Sequence, residues 1–447
     1  MLKRLTLIFA LTGSGYVLSV LVLKWMAQKA LPGQMAAIGE FESFLQLVIG
    51  LVGFGMQSAA IRSIALHENW KEKLEEAQTA RITFGILLAA AAVLGCIKNL
   101  YLFFLLAPLV AASADYALYA RGAAIEGAMV AFVRVALPLV ASAGAVFFWP
   151  DQLWSVYVAA TVVVYFITNY LISFFLGSKI FYKPSLSSLQ VYVKTIPLGI
   201  LNLSFYFMGL GILLIAPVFF DDQELVISFL ALKFYTIYKG VLRVIHQAFV
   251  NQMLNDKICL SVDQLGMMIG LGLLGSVLIF PNVFISLFFG SQYAANSTYF
   301  LWMVLAAVSF SVFNSLYTRL VLEHKEISFM KITLVTSGLT AASLVVLAYS
   351  GGSVNSIPIS LFIGETALAI SFAVGFMNFK TVVLRLQFFF YCSLSLVLPV
   401  LAKFFFGENH YTYFISFALM GVTLLAFTYK KFSLPDEATA SRSTEIP

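Results

Sequence analysis

Fourteen apolar stretches follow one another along the chain, and lysine and arginine gather on every second connection between them. A helix of about twenty residues crosses the ~30 Å hydrocarbon layer of a bilayer. A backbone facing lipid must satisfy its own hydrogen bonds, so the pattern predicts an all-α, polytopic membrane bundle of about fourteen transmembrane helices. The stretches of the first half run 5–30, 36–65, 82–97, 100–119, 127–148 and 153–176. Those of the second run 195–220, 225–250, 265–289, 298–322, 332–349 and 357–377, followed by 388–405 and 411–429.

One set of connections carries Lys71, Lys73, Arg81, Arg121, Lys179, Lys183, Lys257, Lys325, Lys380 and Arg385, with Lys3, Arg4, Lys430 and Lys431 at the termini. The other set has only Lys29, Lys98 and Lys403. The positive-inside rule then places both termini of this multi-pass membrane protein in the cytoplasm. Every outer connection is short, which leaves no room for an outer domain. Lys3 and Arg4 lead straight into the first stretch with no small-residue cleavage site, so that stretch is read as an anchor.

Hydrophobic residues make up 61% and charged residues 11% of the chain, far from a soluble composition. The net charge of +6 follows the inner connections and is explained by topology, with no nucleic-acid partner. Cys96, Cys259 and Cys392 are scattered in apolar runs, and His67, His246, His324 and His410 are far apart in the topology. No catalytic constellation, metal site or cofactor is expected.

A weak internal parallel sets the start of the chain beside the region from Lys194, each with a short outer turn, LPGQ at 31–34 and DDQE at 221–224. Parallel repeats of this kind are common in transporters. The expected organisation is two pseudo-equivalent six-helix bundles, 1–190 and 191–380, two further helices within 381–430, and a polar, disordered tail at 431–447. The inner segment HENWKEKLEEAQTAR at 67–81 is read as a short surface helix.

An ionisable group inside lipid costs about 3 kcal/mol or more unless it faces a polar interior, so each embedded one is a candidate functional residue. Lys24 lies eight residues before Pro32 and Glu40 eight after it, which sets both about 12 Å below the outer end of a helical hairpin. Lys24 is expected to pair with Glu40 or Glu42. On a helical wheel Glu42, Gln46, Gly50, Gly53 and Gln57 fall within about 80° of one another, a stripe read as a cavity wall. The eighth stretch is the basic counterpart, with Tyr235, Lys239, Arg243 and His246 on one face and Lys233 about 80° to the side of Arg243. Lys233 and Glu365 lie at matching depth and are expected to pair, as are Asp115 and Arg134. Arg62, Lys194 and Arg319 sit at inner ends, where long side chains snorkel to headgroups.

With these residues in view, the chain resembles the O-antigen (Wzx-type) flippases of the polysaccharide transporter family, within the superfamily that includes multidrug and toxin extruders and the lipid II flippase. The resemblance covers most of residues 1–380. It rests on VLVLKWMAQKALPGQMAAIGEFESFLQLVIGLVGFGMQSAAIRSIA at 20–65, YALYARGAAIEGAMV at 116–130 and GSQYAANSTYFLWMVLAAVSFSVFNSLYTRLVLEHKE at 290–326. Two features depart from it. The last two stretches exceed the twelve usual in O-antigen flippases, and Glu40, Glu42 and Glu365 make the cavity less purely basic.

What the resemblance implies is a carrier, not an enzyme, that passes an undecaprenyl-diphosphate-linked oligosaccharide through a central cavity by alternating access. Contact with polysaccharide polymerase or chain-length machinery is compatible with it. On this reading Lys24, Arg134, Lys233, Tyr235, Lys239 and Arg243 bind substrate, and Glu40, Glu42, Asp115 and Glu365 serve coupling or ion pairing. Gln46 and Gln57 line the cavity. Two rivals are a multidrug or other small-solute exporter, which predicts an acidic pocket, and a membrane-embedded polysaccharide polymerase, which predicts polar residues on a sizeable outer loop.

Overall fold

Proline, glycine and the polar connections cut the apolar run into a series of α-helices. The computed structural model describes residues 2–94, 99–249, 253–351 and 353–431, although not the side chains of 2–10, 12, 57–58, 62, 65–66, 99–102, 244–249 and 425–431. The expected tail, Cys96 and Lys98 lie outside the described residues. The first half comprises α1 (Leu2–Lys29), α2 (Pro32–Gly53), α3 (Met56–Leu66), α4 (Trp70–Leu94), α5 (Ala107–Ala111), α6 (Asp115–Ala120), α7 (Ala124–Phe148) and α8 (Leu153–Leu176). After the short α9 (Gln190–Lys194) come α10 (Ile196–Phe207), α11 (Asp222–Phe249), α12 (Asp256–Ile279), α13 (Pro281–Phe288), α14 (Ser297–Val312), α15 (Asn314–Leu322), α16 (Glu326–Tyr349) and α17 (Ser356–Phe376). The chain ends on α18 (Phe379–Leu394), α19 (Val397–Phe406) and α20 (His410–Lys431), with no strand among the described residues.

Among the described residues, each of the fourteen expected stretches lies largely on helix. Among the described residues eleven helices are long and apolar enough to cross a membrane, twelve when the pair 196–207 and 210–218, bent by 70°, is taken as one span. Several stretches are broken where straight helices were expected. The second ends at Gly53 and restarts at Met56, because Gly55 has φ +73° and any Cβ there would lie 2.7 Å from the backbone nitrogen of Gly199. The supposed surface helix at 67–81 is the first part of α4, continuous with the third stretch, since nothing between Trp70 and Leu94 breaks a helix. Its apolar residues Leu74 and Ala77 pack against Ile64 and Leu118.

In the first half α1 packs on α7, α7 on α8 and α4 on α5; in the second α14 and α16 pack on α17 and α12 on α14. The halves meet along a seam where α2 lies against α10 and α11, and α1 against α11 and α13. Helices α18 to α20 pack on the outside through α12.

The two sets of connections gather at opposite ends. At the end poor in lysine, the Trp154 N–H donates to the Gln34 side chain at 3.0 Å, the Asn282 N–H donates to Glu408 at 3.0 Å, and a Cβ on Gly33 would lie 3.0 Å from the Asp222 carboxylate. At the basic end Lys71 donates to the Gly177 carbonyl at 3.5 Å and the Arg121 guanidinium lies 4.9 Å from the Trp70 ring. Arg319, expected to snorkel, instead binds Asp256 and Glu323 across α12 and α15.

Arg81 and Arg385, read from sequence as residues of exposed connections, are both buried. Arg385 in α18 donates to Asp263 Oδ2 in α12 at 2.6 and 2.9 Å, and the Ser315 N–H and hydroxyl donate to the same carboxylate at 2.6 and 2.8 Å. A buried charge stripped of its partner is costly, on the order of 3–5 kcal/mol. Arg385→Ala should therefore lower the stability of the purified protein by about that amount in thermal denaturation. The double variant Asp263→Leu/Arg385→Met, which leaves no charge behind, should recover most of the loss.

Candidate functional site

The seam between the halves is where the embedded charges can meet. Helices α2 and α11 both start at the lysine-poor end, and Gly39 lets them approach, since a Cβ there would lie 2.8 Å from the Phe229 ring. Glu42 is ten residues into α2 and Lys233 eleven into α11, so each lies about 15 Å below its helix start. Lys233 Nζ donates to Glu42 Oε2 across the seam, and the Tyr157 hydroxyl of α8 donates to Glu42 Oε1. Glu42 and Tyr157 are buried and Lys233 nearly so. An apolar crevice lined by Leu23, Leu230, Phe234 and Phe288 reaches Lys233 from α1, α11 and α13. A second tie crosses the seam beside it, with the Ser43 hydroxyl donating to the Leu210 carbonyl at 2.7 Å.

Two turns further along α11, Lys239 donates to Glu365 Oε1 of α17 at 2.6 Å and to the Met208 carbonyl at 3.0 Å. That carbonyl is free because α10 ends one residue before it, and a helix end leaves its last carbonyls without intrahelical partners. Tyr235 donates to the same Glu365 oxygen at 2.5 Å, and the Lys239 ammonium sits 4.5 Å from the Tyr235 ring and 4.7 Å from the Phe310 ring. The other oxygen, Oε2, is buried and has no hydrogen-bond partner among the described residues.

The structure thus redistributes two expected pairs. Lys233 binds Glu42, not Glu365, and Glu365 goes to Lys239. The reason is angular: Tyr235 and Lys239 are about 40° apart on a helical wheel and share the face toward α17, whereas Lys233 lies about 200° from Tyr235 and faces α2. Lys24 pairs with neither Glu40 nor Glu42 but donates to the Leu287 carbonyl of α13 at 2.9 Å. Glu40 is half-buried, with no ion-pair partner among the described residues.

Arg134 and Asp115 pair at 3.2 Å, but within the first half and away from the seam. The guanidinium is further occupied by Thr168 at 3.0 Å, Ser113 at 2.7 Å and Asn169 at 3.0 Å, and it lies 4.5 Å from the Tyr165 ring. Its bonding capacity is spent inside its own bundle. Arg243 is exposed, without an ion pair among the described residues. Gln46 is the one exposed residue of α2 between Gln34 and Gly53, one turn beyond Glu42 toward the basic end. Thr236, one turn beyond Lys233 in the same direction, is exposed as well. Both exposed residues lie on the far side of the Lys233–Glu42 pair from the lysine-poor end. Gln57 follows the break after α2, so the polar stripe is not continuous, and its side chain, like that of His246, lies outside the described ones.

Three contributors escaped the sequence reading. Tyr157 looked like one more aromatic in an apolar run, although it caps the Glu42 carboxylate. The Asp263–Arg385 pair was hidden because both residues fall at the margins of their stretches. Arg81, 4% exposed, donates to the Ser113 carbonyl at 2.6 Å and stacks 4.9 Å from the Tyr116 ring, with no carboxylate partner among the described residues. Among the described residues no cluster of His, Cys, Asp and Glu is placed to hold a metal ion.

No protein-family model matches the chain, and no curated protein matches it. Among solved structures it is similar to the lipid II flippase MurJ in an inward closed conformation, with 13% identity, a TM-score of 0.63 and coverage of 96% of this chain and 99% of that one. It is also similar to a MATE protein in complex with MaL6, at 14% identity and a TM-score of 0.55, over 87% of this chain and 97% of that one. At these identities the likeness is one of fold.

Because Glu42 and Lys233 are both taken out of water, single replacements Glu42→Ala or Lys233→Ala should each cost about 3–5 kcal/mol in thermal denaturation. The exchange Glu42→Lys/Lys233→Glu, which keeps opposite charges across the seam, should restore much of it.

Proposed function

We propose that the chain is a carrier of the MurJ and MATE fold that flips an undecaprenyl-diphosphate-linked oligosaccharide, an O-antigen or related surface-polysaccharide unit, across the inner membrane. Its termini are cytoplasmic on this reading, as the bias of lysine and arginine requires. The observation that carries the proposal is the pair of lysines on α11, each held in the membrane interior by a glutamate, one of them across the seam between the halves.

A diphosphate is an anion that charge-assisted hydrogen bonds from lysine recognise well. When it reaches Lys233 it exchanges places with Glu42, so the ammonium never loses a counter-charge. Glu42 keeps the Tyr157 hydroxyl as its partner. The tie between the halves is then released, and rocking of one bundle against the other can follow. Lys239 repeats the arrangement within the second half, where Oε2 of Glu365 is buried without a hydrogen-bond partner among the described residues. Binding remains reversible because each glutamate competes for its lysine. The lipid tail stays in the bilayer on this reading. The structure of a lipid II flippase being a fold neighbour supports the same reading.

A small-solute exporter is the second reading, favoured by the half-buried Glu40 carboxylate that has no ion-pair partner among the described residues and by the likeness to a MATE protein. The two readings separate by experiment. Lys233→Ala and Lys239→Ala, at matched expression, should each lower surface-polysaccharide display at least ~10-fold, the loss expected when about 1.4 kcal/mol or more of substrate binding goes. Full display from both would contradict the flippase reading. Loss of resistance to cationic dyes in Glu40→Gln with normal display would favour the exporter.

A further inference from the structure

We infer that the lysine-poor mouth of the seam is a glycan vestibule, a site for the uncharged sugar units of the substrate; the inference rests on the flippase reading. A cleft of about 430 Å³ opens there, and both halves line it. That volume lies in the ~300–1,000 Å³ range of small-molecule sites. The first half contributes Pro32 and Met35, and the second contributes Gln223, Gln292, Tyr293 and Asn296.

The chemistry of this lining fits a sugar. Each hydroxyl of a sugar both donates and accepts, and a carboxamide likewise offers an oxygen that accepts and a nitrogen that donates twice. Gln223 and Asn296 make no side-chain hydrogen bond within the protein among the described residues, so their amides are available. The CH faces of a pyranose need apolar contact, which Met35, Val226 and Ile227 provide together with the ring of Tyr293.

Charge argues against a cation as the intended occupant. The cleft holds a single carboxylate, Glu224, and it is engaged in a reciprocal helix cap. Glu224 Oε2 accepts the Asp221 N–H at 3.2 Å while the Glu224 N–H donates to Asp221 Oδ1 at 2.9 Å.

Position ties the cleft to the charged layer below it. Met35 is seven residues before Glu42 and Ile227 six before Lys233, so the cleft floor is about 10 Å from the cation by either helix. One molecule can thus hold its diphosphate at Lys233 with its sugars in the cleft.

The test uses the full-length protein in lipid nanodiscs and two soluble neutral probes, chitotriose and maltotriose, titrated by calorimetry beside undecaprenyl diphosphate and ethidium. At least one trisaccharide should bind, and Gln223→Ala/Asn296→Ala should weaken it at least ~10-fold without changing the melting temperature or the affinity for undecaprenyl diphosphate. If undecaprenyl diphosphate binds and neither sugar does, or if the double variant binds sugar as the parent does, the vestibule is overturned and the flippase reading stands. Ethidium binding that the double variant abolishes, with no sugar binding, overturns it in favour of a cation site. Failure of undecaprenyl diphosphate to bind the parent protein overturns the flippase reading itself.

Discussion

A lysine held in a low-dielectric interior needs a counter-charge within hydrogen-bond reach, and that need organises this molecule. Lys233 has its counter-charge on the other half, Glu42 of α2, and the carboxylate is steadied from the far side by Tyr157. The bond is at once a structural tie and a point of weakness. Desolvation offsets much of its Coulombic attraction, so it adds little net stability while both partners are present, yet losing either partner is expensive. A ligand that brings its own negative charge is therefore the natural agent to open it.

The four interior pairs differ in what they can do. Asp263 and Arg385 are closed off, with every bond of the carboxylate directed to α15 or α18, and they anchor the outer helices to α12. Arg134 is likewise saturated by its own bundle. Lys239 and Glu365 are less settled, because one glutamate oxygen is buried without a partner among the described residues and the lysine leans on a carbonyl exposed by the end of α10. Of these four ion pairs, Lys233 with Glu42 is the one that joins the first half to the second.

The helical bundle and the separation of its two ends are legible in the chain because they depend on long runs of residues and on summed loop charge. The breaks at Phe54–Gly55 and after Phe207 were not, since each depends on one or two residues meeting a distant backbone, as Gly55 meets Gly199. For the site, spacing gave depth but not direction. By count from their helix starts Glu365 and Glu42 looked alike, yet Glu365 meets Tyr235 and Lys239 further along α11, and the wheel angle between Lys233 and Tyr235 separates the two faces. Tyr157 carried no signal at all, because a neutral tyrosine in an apolar helix declares its role only when a carboxylate is found beside it.

Spin labels at Asp151→Cys and Ser353→Cys, exposed positions on the lysine-poor ends of the two halves, would report the tie directly once Cys96, Cys259 and Cys392 are replaced by alanine. In nanodiscs, the distance distribution between them should gain a longer population when undecaprenyl diphosphate is added. The same population should be present without lipid in a Glu42→Gln background. An unchanged distribution in both cases would contradict the account, because breaking the bond between Lys233 and Glu42 would then leave the arrangement of the halves as it was.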